Sequence, residues 1–226
     1  MNFWKKATAL IMALGMTFAF AACDNGNTDS SPAESAGESS STQATPEELS
    51  QANLIALVQS LYSESNLKIS IKGSYADEDG NVYSGVGSIS YADGKCYKTM
   101  KKTYESGASV TEENYESKDN GVYYHYLKVD GVWEAQPYED LAAGEDPTSC
   151  KYYLEEIMQW CEDPYFRYDD KLGMHVFTPW EKPELQVMVV GGKIVKYRIE
   201  ASPEEWEEGE LSYGNASVGA LPAVNG

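Results

Sequence analysis

Asn66-Leu67-Lys68-Ile69-Ser70-Ile71-Lys72 alternates apolar and polar residues, and the rest of the fold is read outward from it. A period of two describes a strand with one buried face. Dipeptides that favour tight hairpins follow at short intervals: Asp79-Gly80, Asp93-Gly94, Asn120-Gly121 and Asp130-Gly131, with Ser106-Gly107 as a weaker one. Asn or Asp followed by Gly accepts the positive φ angles of a two-residue turn, so each marks a pair of antiparallel neighbours. The spacing predicts about six strands between residues 66 and 138, in an up-and-down meander.

Helical patterns flank the meander. Thr45-Pro46-Glu47-Glu48 has the form of a capping box. It predicts a helix to about Ser65, with Leu54, Leu57, Val58, Leu61 and Tyr62 on one side. Asp146-Pro147 predicts a second helix to about Glu162, with Leu154, Ile157, Met158 and Cys161 as its apolar stripe. Strands are then expected at 165–169, 174–179, 184–190 and 193–201, the last two joined by Gly191-Gly192, and near 210–215. Leu185, Val187 and Val189 fall on one face and Met188 and Val190 on the other, as in a strand covered on both sides. With 17 Tyr, 5 Trp and 5 Phe, the composition suits a pleated surface. The expected class is α+β: one large curved antiparallel sheet, a half-barrel of about 10–11 strands, with two helices against its concave face.

The N-terminal end supplies an address. Lys5 and Lys6 precede an apolar run from Ala7 to Ala22, which reads as a signal peptide over residues 1–22. The run is shorter than the ~20 apolar residues a membrane-spanning helix needs. Phe20-Ala21-Ala22-Cys23 resembles the lipobox of bacterial lipoproteins, in which the Cys is lipidated and becomes the first residue. The resemblance implies that Cys23 carries lipid and holds the protein on the extracytoplasmic face of the cell membrane. Residues 24–45, rich in Ser, Thr, Gly and Glu, read as a disordered tether with a typical reach of ~25 Å. Residues 46–226 are then a single domain.

Charge narrows the partners. The net charge is -19. Loss of residues 1–22 removes Lys5 and Lys6 and no acid, giving -19 minus 2, or -21. Such a surface repels phosphate backbones and anionic head groups, so nucleic acid is not an expected partner and lipid is the expected attachment. Tether, capped helix, Tyr-rich meander and the closing Tyr213-Gly214-Asn215 before Leu221-Pro222 together resemble the half-barrel lipoproteins related to LolA, LppX and LprG. That resemblance implies a lipid carried between sheet and helices. Leu67, Ile69, Ile71, Leu127, Trp133, Leu154, Ile157 and Val187 would bound the apolar space.

No pattern for chemistry emerges. His125 and His175 lie in predicted strands among aromatics, without Cys or carboxylates at metal-ligand spacing. Gly85-Val86-Gly87-Ser88 is not a nucleophile elbow, and its glycines suit a bend in the sheet. Asp77-Glu78-Asp79-Gly80-Asn81 opens like a calcium loop, but its twelfth position is Ser88 rather than Glu. Glu204-Glu205-Trp206-Glu207-Glu208 reads as a solvated loop. Cys150 and Cys161 on one helix stand ~16 Å apart, too far to pair. At most one bridge, from Cys96 to either of them, is open. Catalytic residues, metal and cofactor are therefore not expected. The leading expectation is a non-enzymatic lipoprotein that binds a lipid or other apolar ligand for carriage or sensing. The alternative is a fully packed lipoprotein that binds a protein partner or glycan through exposed aromatics.

Overall fold

The computed structural model describes residues 45–77, 80–129, 131–178 and 183–224. Residues 1–44, on which the expected signal segment, lipobox and most of the expected tether fall, lie outside the described residues. Among the described residues the fold is α+β, with two helices and one open, wholly antiparallel sheet of 11 strands that does not close into a barrel. The elements are α1 (Gln51–Leu61), β1 (Leu67–Ala76), β2 (Val82–Ala92), β3 (Lys95–Tyr104), β4 (Ser109–Asp119), β5 (Val122–Val129), β6 (Val132–Pro137), α2 (Cys150–Met158) with a 3-10 turn over Gln159–Glu162, β7 (Phe166–Asp169), β8 (Met174–Phe177), β9 (Glu184–Val190), β10 (Lys193–Glu200) and β11 (Trp206–Tyr213).

The strand order is β6-β5-β4-β3-β2-β1-β11-β10-β9-β8-β7. The first six strands walk from the centre to one margin. The chain then crosses the face of the sheet through α2 and returns from the opposite margin until β11 pairs with β1. The turns follow their dipeptides. Asp93 and Gly94 have φ of 54° and 66°, and Asn120 and Gly121 have 49° and 87°. Two successive positive values match the twist of a two-residue hairpin.

Both helices start later than expected. Residues 45–50 are not helical, and Glu47 N–H instead donates to the Val189 carbonyl at the end of β9, 2.8 Å away. Ser50 takes over the cap, accepting from Asn53 N–H at 3.4 Å. Asp146 holds a turn by accepting from Thr148 N–H and Oγ1 at 2.9 and 2.6 Å, and Ser149 caps α2. Side-chain bonding on the spot, or a partner strand, outcompeted helix in both places.

The helices cover one face of the sheet, here called inner. Leu54, Val58 and Leu61 of α1 and Cys150, Leu154, Ile157 and Met158 of α2 form one buried cluster with Leu67, Ile69, Ile71, Ile89, Tyr91, Val187, Tyr197 and Leu211. Burying each large aliphatic side chain contributes about 1.5–3 kcal/mol. The outer face of β9, expected to be covered, is only half-buried at Met188 and Val190. The final strand starts at Trp206, so the acidic run expected in a loop enters the sheet instead.

Candidate binding surfaces

The eight apolar residues expected around a ligand fall into three settings. Leu67, Ile69, Ile71, Leu154, Ile157 and Val187 meet in the helix-covered core, each between 0% and 5% exposed. Leu127 is buried on the inner face but lies outside that cluster. Trp133 is on the other side. It stands opposite Lys128, whereas Leu127 stands opposite Glu134, so Trp133 points to the outer face. A groove of about 220 Å³ opens between the helices, lined by apolar Ile55, Val58, Met158 and Cys161 beside Tyr62, Gln59, Gln159, Glu155 and Glu162.

Cys96, Cys150 and Cys161 are free and buried. Burial pushes the Cys96 and Cys161 thiols up to about 12 and Cys150 to about 11, so all three stay protonated and unreactive. Cys150 Sγ lies 3.3 Å from the Leu61 carbonyl and 3.4 Å from that of Glu64, satisfying acceptors left at the end of α1. His175 is fully buried and ties together the chain before the first helix, β8 and β9. Its Nε2 accepts from Leu49 N–H at 2.8 Å and its Nδ1 lies 3.3 Å from the Val187 carbonyl. Desolvation lowers its pKa, leaving a neutral ring. His125 sits beside Gln136 at 3.2 Å and against the Tyr138 ring. Among the described residues, no three His, Cys, Asp or Glu side chains come together to hold a metal ion.

Glu207 is the feature that sequence reasoning missed. It points inward from β11, 7% exposed, and accepts from three phenols. Tyr75 of β1 and Tyr197 of β10 donate at 3.0 and 2.6 Å, and Tyr153 of α2 reaches the same oxygen as Tyr197. The glycines make room. A Cβ on Gly209 would fall 2.1 Å from the Tyr197 ring, and one on Gly73 or Gly85 would fall 2.7 Å from Tyr75. Desolvation raises the Glu207 pKa, although the three phenols pull it back.

Strands β3 to β6, of which β3 still contributes Cys96 to the helix-covered cluster, form a wing with two unlike faces. Its inner face is charged. Lys98 pairs with Glu116 at 3.2 Å, Tyr138 donates to Glu116 at 2.8 Å, and Lys102 pairs with Glu112 at 2.6 Å. Its outer face is aromatic. Tyr97 and Tyr115 pack with ring centres 4.5 Å apart, and Trp133 meets Tyr115 edge-on at 5.4 Å. Tyr97 donates to Glu113 at 2.8 Å, which props the rib, and Lys128 lies over the Trp133 ring. These rings, with Tyr126, are partly exposed on the side opposite the helices. Tyr and Trp side chains are enriched among the anchors of protein interfaces in general, because they offer large contact area at small entropic cost.

No protein-family model and no curated protein matches the chain.

Proposed function

We propose that this chain is an extracytoplasmic lipoprotein, anchored to the cell membrane through lipidated Cys23, whose domain is a non-enzymatic binding module for a protein partner. The outer rib of Tyr97, Tyr115 and Trp133 carries this reading, because it leaves aromatic surface on a face the helices do not use. The rings lean on one another at 33° and 70° rather than lying coplanar. A sugar stacks the C–H face of its chair on an open aromatic face, and rings tilted against one another offer fewer such faces, so the rib suits protein side chains better than a glycan. The test is site-specific photocrosslinking in the native membrane, with probes at Thr99 and Lys101 on the outer face and at Gln59 on α1. Discrete adducts from the outer face alone support the reading; adducts from Gln59 alone, or from no position, overturn it. Cys23→Ala should release the folded domain from the membrane fraction, and a retained protein would overturn the anchor.

The groove between the helices favours a second reading, binding of a lipid or other apolar ligand where Val58, Met158 and Cys161 join groove and core. Its volume is below the ~300 Å³ at which small-molecule pockets begin, so a bound chain would have to part the helices. Native mass spectrometry of the lipoprotein in detergent decides it. A co-purified lipid mass beyond the Cys23 modification supports carriage, and its absence after lipid titration excludes it.

A further inference from the structure

The free margin of the wing has a chemistry of its own. β6 is the last strand on that side of the sheet. Tyr138 N–H, just after it, donates to the Tyr123 carbonyl at 3.0 Å. Backbone groups along an antiparallel strand turn alternately to either side. Residues 132, 134 and 136 therefore turn theirs to β5, and Trp133 and Ala135 turn theirs outward. Pro137 also faces outward, where its missing N–H costs no ladder bond.

Charge separates the two margins. β6 itself carries Glu134 and neither Lys nor Arg, and the segment 138–149 that follows it holds Glu139, Asp140, Glu145 and Asp146 and again no Lys or Arg. The opposite margin is mixed: Arg167 of β7 pairs with Asp169 at 2.9 Å, and Lys171 follows. A carboxylate on an edge strand repels a second copy of the same edge. It attracts a strand of opposite charge.

We propose that β6 docks an extended, basic segment of a protein partner, which adds a strand to the sheet. This rests on the reading of the wing as a partner-binding surface and names the class of segment that binds. Backbone bonds to Trp133 and Ala135 supply affinity, and alternate side chains supply selectivity. On the inner side the added strand meets Glu134, which calls for Lys or Arg. On the outer side it meets Trp133, which calls for an aromatic or β-branched residue.

The probe is a labelled acetyl-Lys-Val-Lys-Tyr-Lys-Val-amide, read by fluorescence anisotropy against the full lipoprotein in uncharged detergent. Controls carry Glu in place of each Lys, or N-methyl groups on one or the other alternate set of amides. The Lys peptide should bind and the Glu peptide should not. One of the two N-methylated peptides should bind at least about tenfold more weakly, the effect of losing one or two backbone bonds. Glu134→Lys, an exposed substitution, should weaken binding by about tenfold or more. Equal binding of both N-methylated peptides, no effect of Glu134→Lys, or no binding of the Lys peptide overturns the proposal. Outer-face crosslinks that persist when the peptide fails leave the rib reading standing. Peptide binding without outer-face crosslinks removes the rib and keeps the margin.

Discussion

Leu211, Ile69 and Ile89 lie side by side on β11, β1 and β2, and the same row continues through Lys98, Asn114, Leu127 and Glu134 on β3 to β6. The row runs along one face of one sheet, yet its character changes between β2 and β3. Up to β2 it lies beneath α1 and α2, where each apolar side chain finds others to touch. From β3 onward Lys98, with 15% of its side chain exposed, is held by Glu116 instead. An 11-stranded sheet is wider than two short helices can cover. The wing beyond them stays in the sheet by backbone pairing and cross-strand ion pairs, which tolerate water in a way that an apolar face does not.

The difference predicts opposite responses to mutation. Leu154→Ala, in the covered half, should cost about 2–5 kcal/mol in a denaturant titration, because its surroundings cannot collapse onto the void. A cost below about 1 kcal/mol would mean that the helices do not pack tightly on the sheet, and would revive the apolar-ligand reading. In the wing, Glu116→Ala should cost about 3 kcal/mol, the low end for orphaning a buried charge, since Lys98 can still reach water. Replacing the whole set, Lys98→Met with Glu116→Leu and Tyr138→Phe, leaves no phenol without its acceptor and should restore stability to within about 1 kcal/mol of the wild type. A triple variant as unstable as Glu116→Ala would show that the set is more than a cross-strand tie.

Glu207 brings a titratable carboxyl group into the apolar half, and its response to pH sharpens the contrast. Its folded pKa is raised above the ordinary carboxylate value, chiefly by desolvation. The fold therefore favours the protonated form. That stability is fully present below the unfolded pKa and is lost as pH rises through the folded one. Glu207→Gln removes this titration while keeping an acceptor for the phenols. Unfolding followed from pH 4 to pH 8 should show a smaller loss of stability with rising pH in the variant than in the wild type. Identical slopes would mean that Glu207 titrates as it does in the unfolded chain. His175 acts in the opposite direction, because a pKa lowered by burial makes stability fall as pH drops. The comparison must therefore be made between variants, not read from the wild-type curve alone.

The contrast was only partly legible in the sequence. Alternation at Leu67, Ile69 and Ile71 places that strand, and Asp93-Gly94 and Asn120-Gly121 place its neighbours, because both signals are local. Grouping Trp133 with Leu127 failed for a reason the residues themselves contain. With Asp130-Gly131 as the turn, Trp133 must pair with Lys128, and Leu127 with Glu134. The burial of Glu207 had no local signal. An acidic run normally means solvent, and the three phenols that admit this one stand 132, 54 and 10 residues away in sequence. Helix starts failed similarly, since the Val189 carbonyl that captures Glu47 arrives only with the tertiary fold.

The smallest expected effect on stability is the most informative about function. Trp133 lies on the outer face of β6, next to the free margin, and touches Tyr115 and Lys128 rather than the core. Trp133→Ala should therefore change stability by no more than about 1 kcal/mol, the value of an edge-to-face aromatic contact with a partly exposed cation–π pair. The same substitution should abolish outer-face crosslinks, because truncating an aromatic anchor typically costs 2 kcal/mol or more, ~30-fold in affinity. Tyr97→Ala, at the far end of the rib, should weaken them less. A Trp133→Ala protein that melts several degrees lower but crosslinks as before would reverse this assignment, placing Trp133 in the structure of the wing and leaving its outer face without an anchor.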